Sequence, residues 1–212
     1  MRSYDQYCGL AKALDVVGDR WTLLIVRELL LRGPARYTDL LQGLPGIATN
    51  LLADRLRDLE AVGVVTREEP EPPVATALFR LTGWGEQLRP IILALGGWAS
   101  SLLIERSPKD QFRSHWLSLP LEHRFTDRSP RKPPIKIELR AGDEPMLLET
   151  AAGAVRVGRV KGERPDAVLT GPPDVIISLL AGRIDLATAR RRRLRFEGDP
   201  SVLKRLKLVS PD

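Results

Sequence analysis

The chain has 212 residues, 43% hydrophobic and 28% charged, with a net charge of +6 and a single cysteine. This length allows one large domain or two of about 100 residues, and the composition excludes a disordered chain. No apolar run approaches the roughly 20 residues of a membrane span, the polar start Met1-Arg2-Ser3-Tyr4-Asp5 lacks a signal peptide's apolar stretch, and Cys8 alone excludes an internal disulfide framework.

A cytoplasmic protein without a membrane partner is therefore expected. Its charge is uneven: residues 1–106 carry 12 Lys and Arg against 13 Asp and Glu, and the remainder 21 against 14. The whole basic excess lies in the second half.

In chain order, Tyr7 to Val16 predicts a helix, with Gly18 ending it in a left-handed cap. Asp19 is expected to cap the next helix, whose apolar stripe Trp21, Leu24, Ile25 and Leu29 stops at Gly33-Pro34. Thr38 is expected to cap a short helix, Asp39 to Gln42. The turn Gly43 to Gly46 leads into a longer helix, Thr49 to Val62, closed by Gly63. Val64 to Arg67 and Leu78 to Thr82 read as strands joined by the acidic tip Glu68 to Pro73. A last long helix, Gly83 to Leu103, has Leu88, Ile91, Ile92, Leu95, Trp98 and Leu102 at helical spacing. This is the element order of a winged helix-turn-helix.

Ser107 to Pro134, rich in Pro, Ser and charge, reads as a linker. Beyond it, short strands are expected at Ile135–Leu139, Met146–Glu149, Val155–Val160, Val168–Thr170 and Leu194–Glu197. Helices are expected at Pro172–Leu180, from Asp185, and from Asp199 to the end. The fold class is α+β in two domains, residues 1–106 and 135–212, separated by the linker 107–134.

A helix-turn-helix needs a second helix with one buried and one exposed face. Leu52, Leu56 and Leu59 fall on one side, so Thr49, Asn50, Ala53, Asp54 and Arg57 lie toward the other. Asn can pair with adenine and Arg with guanine in a major groove. Arg36, Tyr37 and Thr38, at the start of the preceding short helix, can hold a phosphate. Arg67 and Arg80 on the hairpin are candidates for backbone contact. The plainer alternative is an amphipathic helix with a solvated charged face, and Asp54, Asp58 and Glu60 oppose a purely electrostatic DNA surface.

The run Cys8-Gly9-Leu10-Ala11-Lys12-Ala13-Leu14-Asp15-Val16-Val17-Gly18-Asp19-Arg20-Trp21-Thr22-Leu23-Leu24-Ile25 resembles the opening signature of HxlR-type winged-helix regulators. So do Gly33 to Leu40, Leu44 to Ile47, Leu52 to Glu60 and Leu78 to Thr82. The resemblance covers residues 7 to 102. It implies a DNA-binding regulator that pairs largely through its terminal helices, with one recognition helix per half-site. The face Leu88, Ile92, Leu95, Trp98 and Leu102 is the expected homodimer interface. The chain departs from the family at Ala48, where Ser is common and capping passes to Thr49, and at the acidic tip, where phosphate would be repelled.

The resemblance to this family implies a redox-sensing role for Cys8, since some members use a cysteine at the matching position to sense oxidants or electrophiles. Packing as a small apolar residue is the alternative expected here. In the second half, Ala167 to Asp174, Leu179 to Asp185 and Leu194 to Asp199 resemble sterol carrier protein-like domains. That resemblance implies an apolar tunnel for a hydrophobic ligand, and a filled core is the alternative. Arg190 to Arg193 reads as a solvated turn or an anion contact. No catalytic constellation, cofactor motif or metal-ligand spacing stands out, and His115 and His123 both fall in the linker. His115 with Trp116 reads as packing at the domain junction. Two functions remain in view: a homodimeric regulator of double-stranded DNA with a hydrophobic effector, or a carrier or enzyme that uses the winged helix only to dimerise.

Overall fold

Apolar residues at helical spacing in the first half, and alternating ones in the second, build two separate cores. The structure, a computed structural model, describes residues 3–68, 76–103, 107, 109–162 and 164–209. It divides into units Met1–Ser107 and Pro108–Asp212, and its mixture of helices and sheets is α+β.

The first unit runs α1 (Gly9–Val17), α2 (Thr22–Arg32), β1 (Ala35–Arg36), α3 (Tyr37–Gly43), α4 (Thr49–Ala61), β2 (Val65–Glu68), β3 (Leu78–Leu81), α5 (Gly83–Glu86) and α6 (Leu88–Trp98). A 3-10 segment, Ala99–Leu103, continues α6. The strands form an antiparallel sheet in the order β1-β3-β2. Ile25 and Leu29 of α2, Leu40 of α3 and Leu52, Leu56 and Leu59 of α4 are buried in its core. The Glu69–Pro73 part of the expected acidic tip lies outside the described residues, and Glu68 belongs to β2.

Several helix ends differ from expectation. Gly18 has φ −72°, not a left-handed value, because α1 ends in an ordinary helical turn. Asp19 does not cap α2 with its side chain; its carbonyl accepts from Thr22 N–H at 3.1 Å. Thr38 lies inside the first turn of α3, because Arg36 takes the cap position and the Asp39 carboxylate accepts its N–H at 3.1 Å. Thr49 likewise falls inside α4, with Ala48 at the cap. The long last helix is broken at Gln87, because Pro90 has no N–H to give the carbonyl of Glu86.

The second unit begins inside the expected linker. A 3-10 turn (Ser114–Leu117), α7 (Ser118–Arg124) and β4 (Phe125–Asp127) are folded, and Leu117, Leu121 and Phe125 enter the second core. Pro and charge suggested a solvated tether, but the apolar residues between them are buried. There follow β5 (Lys136–Arg140), β6 (Met146–Ala151), β7 (Ala154–Arg159), β8 (Ala167–Thr170), α8 (Pro173–Leu180), α9 (Leu186–Arg191), β9 (Arg195–Gly198) and β10 (Leu206–Leu208). The expected terminal helix is only a 3-10 stretch, Pro200–Arg205, because the chain must extend to pair β10 with β4.

The seven strands lie in the order β10-β4-β7-β6-β5-β8-β9, with β5 and β8 parallel and the other neighbours antiparallel. Ile137, Leu139, Leu148 and Leu169 point to one face, share a core with Val175, Ile176 and Leu179 of α8, and are each 0% exposed. No helix among the described residues is long and apolar enough to cross a membrane.

Candidate nucleic-acid interface

Alternation of buried leucines on α4 leaves one exposed face carrying Thr49, Asn50, Asp54 and Arg57, with Ala53 half-buried beside them. Gly63, at φ +76°, closes the helix with a left-handed cap. Arg57 Nη1 lies 3.1 Å from Asp54 Oδ1, one turn away, so the exposed arginine carries its own counter-charge.

The start of α3 lies next to the start of α4. Tyr37 Oη donates to the Thr49 carbonyl at 2.5 Å, which fixes the turn between the two helices. Tyr37 thus positions α4, while Arg36 and Thr38 are exposed beside it.

The hairpin separates its two arginines. In the β2–β3 register Arg67 stands opposite Phe79, and Arg80 opposite Thr66. Side chains at paired positions share a face and alternate along a strand, so Arg67 and Arg80 project to opposite faces. Arg80 Nε also binds Glu68 Oε1 at 2.6 Å.

Two supporting groups escaped the sequence reading. Arg55 bridges Asp19 and Asp58, tying α4 to the turn before α2. Glu28 is fully buried in α2 and receives Arg27 Nη2 at 2.9 Å and Arg32 Nε at 3.2 Å. The signal for Glu28 was an acid flanked by Arg27 and, one turn on, Arg32 within an apolar stripe.

Leu95, Trp98 and Leu102 of the expected dimer face are exposed, the last two at 78% and 74%. Leu88 and Ile92 are half-buried because α6 packs on α2 within the chain, and Ile91 is the more exposed neighbour.

Cys8 is exposed, which corrects the expectation of a packed thiol. It occupies the cap position of α1, and the backbone N–H groups of Ala11, then Leu10, hold its thiol below the ordinary range. His115 is buried in the second unit, edge-to-face with Trp116 at 6.2 Å and 3.9 Å from Glu144.

Comparison with known proteins fits this geometry. Residues 16–107 match the HxlR-like helix-turn-helix family, and residues 130–209 the SCP-2 sterol transfer family. The uncharacterized HTH-type transcriptional regulator YvaP of Bacillus subtilis is 39% identical over 90 residues, 42% of this chain and 82% of YvaP. The similarly described sll1512 of Synechocystis is 34% identical over 101 residues, 47% of this chain and 73% of its own. The solved reduced form of the transcriptional regulator YodB from B. subtilis is 29% identical, with a TM-score of 0.41, over 48% of this chain and all of that one. With YvaP matched over most of its length, the chain belongs to the HxlR-like helix-turn-helix family of transcriptional regulators, and its C-terminal sheet domain matches the SCP-2 sterol transfer family.

Proposed function

We propose that the protein binds operator DNA as a homodimer in the cytoplasm, that residues 1–106 do the binding and pairing, and that a hydrophobic ligand in the second domain modulates it. The observation that carries this reading is α4: three leucines anchor it while Asn50, Asp54 and Arg57 stay on one accessible face. Such a face suits hydrogen bonding to base edges in a major groove. Exposed Leu95, Trp98 and Leu102 favour pairing, since a contiguous apolar patch seldom stays wet.

The experiment is a gel-shift titration of the protein on DNA from upstream of its own gene, with unrelated DNA as competitor. Retention of the upstream fragment at competitor excess is expected. Equal competition by both DNAs would refute sequence-specific binding.

The SCP-2 match favours a second reading, a carrier or enzyme for hydrophobic molecules that uses its first unit only to dimerise. An apolar ligand seated between α8 and the sheet would displace packed side chains, because Ile137, Leu139, Leu148 and Leu169 fill that face. A ligand that binds there stabilises the fold by mass action, and regulates only if it binds two conformations unequally. A thermal-shift series with fatty acids, followed by DNA titration, separates the two. Stabilisation without any change in DNA affinity favours the carrier.

A further inference from the structure

Three helices end in the same hydrogen-bonded cap. After α4, Gly63 N–H bonds Glu60 O at 3.0 Å and Val64 N–H bonds Leu59 O at 2.9 Å. After α8, Gly182 N–H bonds Leu179 O at 3.0 Å and Arg183 N–H bonds Ser178 O at 2.9 Å. After α9, Arg193 N–H bonds Arg190 O at 3.1 Å and Leu194 N–H bonds Ala189 O at 3.1 Å. Each pair is a Schellman motif, whose left-handed residue is usually glycine. The first two use glycine, at φ +76° and +68°; the third uses Arg193, at φ +68°.

A long side chain is strained there, where glycine is free. A solvated turn gains nothing from the arginine. Attraction of basic side chains to a helix C-terminus accounts for Arg190 and Arg191 in the last turn, but Arg193 lies beyond the helix. Backbone strain of this kind points to a functional side chain. The turn is also firmly seated: Leu194 is buried, and a Cβ on Gly171 would meet Leu194 Cα at 3.1 Å.

Charge pairing points to the ligand. In the first unit Arg27, Arg32, Arg55, Arg57, Arg80 and Arg89 each meet a carboxylate, and α4 itself holds Asp54, Asp58 and Glu60 against Arg55 and Arg57. Residues 1–106 have a net charge of −1, and the remainder +7. Arg190, Arg192 and Arg193 are exposed and none pairs with a carboxylate among the described residues. Arg191, also exposed, donates to Thr188 Oγ1 at 2.8 Å, and after the hydrogen bonds from Thr188 its charge helps hold the Asp185 carboxyl below its usual range. Protein–DNA affinity draws heavily on neutralised phosphates, which the first unit is poorly equipped to supply.

We propose that the Arg190–Arg193 turn binds the phosphodiester backbone of DNA, with Arg193 held in a left-handed conformation to present its charge. The inference rests on the DNA-binding reading above. Base discrimination belongs to α4, and salt-dependent affinity to this turn.

The test measures affinity against salt for operator and unrelated DNA, using full-length wild type, Arg193→Gly, Arg193→Lys, and Arg190→Ser/Arg192→Ser/Arg193→Gly. Arg193→Gly should melt no lower than wild type, since it relieves strain. It should weaken both DNAs alike, and lower the log–log salt slope by about 1 for each arginine engaged. Arg193→Lys should keep the slope, and the triple variant should lose more of it. An unchanged slope in the triple variant overturns the proposal. So does an equal loss in Arg193→Lys, or a slope that falls instead in Arg128→Ser/Arg131→Ser/Lys132→Ser, which alters the β4–β5 loop. Binding of wild type to phosphatidylglycerol vesicles in preference to DNA would assign the turn to a membrane surface and overturn it too. Wild type that binds no DNA removes both readings. Sequence-specific binding with an unaltered salt slope removes only this one.

Discussion

Arg205 holds Asp127 in a two-pronged grip: Nε donates to Oδ1 at 2.8 Å and Nη2 to Oδ2 at 2.5 Å. The same guanidinium donates to the carbonyls of Pro133 and Ser129, each at 3.1 Å, so one side chain fastens β4, the loop after it and the end of the chain. The Asp127 side chain is only 3% exposed.

Arg205→Ala should therefore cost on the order of 3 kcal/mol in urea unfolding, since it strands a buried carboxylate. Hydrogen bonds from Arg205 hold the Asp127 carboxyl below its usual range. A lowered folded-state pKa gives stability that is complete above the unfolded value of about 3.9 and disappears as pH falls through the folded one. Wild type should lose more stability than Asp127→Asn on acidification below about pH 5. Parallel curves for the two proteins would discount the pair.

Gly43 leaves room for the buried carboxylate beside it. A Cβ there would lie 2.1 Å from Glu28 Oε2. Gly43→Ala should destabilise by about 1–3 kcal/mol through overpacking, and less in a Glu28→Ala background. A double-mutant cycle on thermal or urea stability measures the coupling, and strict additivity would refute the contact.

On α4, Asn50→Ala and Arg57→Ala should each weaken specific DNA binding by about 1–3 kcal/mol while leaving the circular dichroism spectrum intact. Wild-type operator affinity in both variants would exclude this face as the reader.

Pairing through α6 predicts that Trp98→Asp or Leu102→Asp yields a folded monomer. The charge would sit in a desolvated interface rather than on an exposed patch. Light scattering at micromolar concentration reports the mass, and an unchanged dimer would place the interface elsewhere.

For Cys8, exposure and the N–H groups at the start of α1 favour the thiolate. The pH profile of iodoacetamide alkylation should have its inflection below the usual thiol value of about 8.5. The same inflection as in the urea-unfolded protein would contradict the local effect.

Periodicity made much of this protein legible. The spacing of Leu52, Leu56 and Leu59 announces a buried face on α4, and alternation through Ile137 and Leu139 announces a half-buried strand, because both patterns arise within one element. Gly63 and Gly182 mark their helix ends for an equally local reason, a left-handed φ. Tertiary structure decided what depends on partners distant in sequence. It folded Leu117 to Asp127 out of an apparent linker, because their burial needs the sheet, and it drew Leu206 to Leu208 into a strand, because β4 offers an open edge. It also exposed Cys8 and set Arg67 and Arg80 on opposite faces of the hairpin. Composition cannot report such outcomes, since exposure and strand register are properties of the surroundings rather than of the residue.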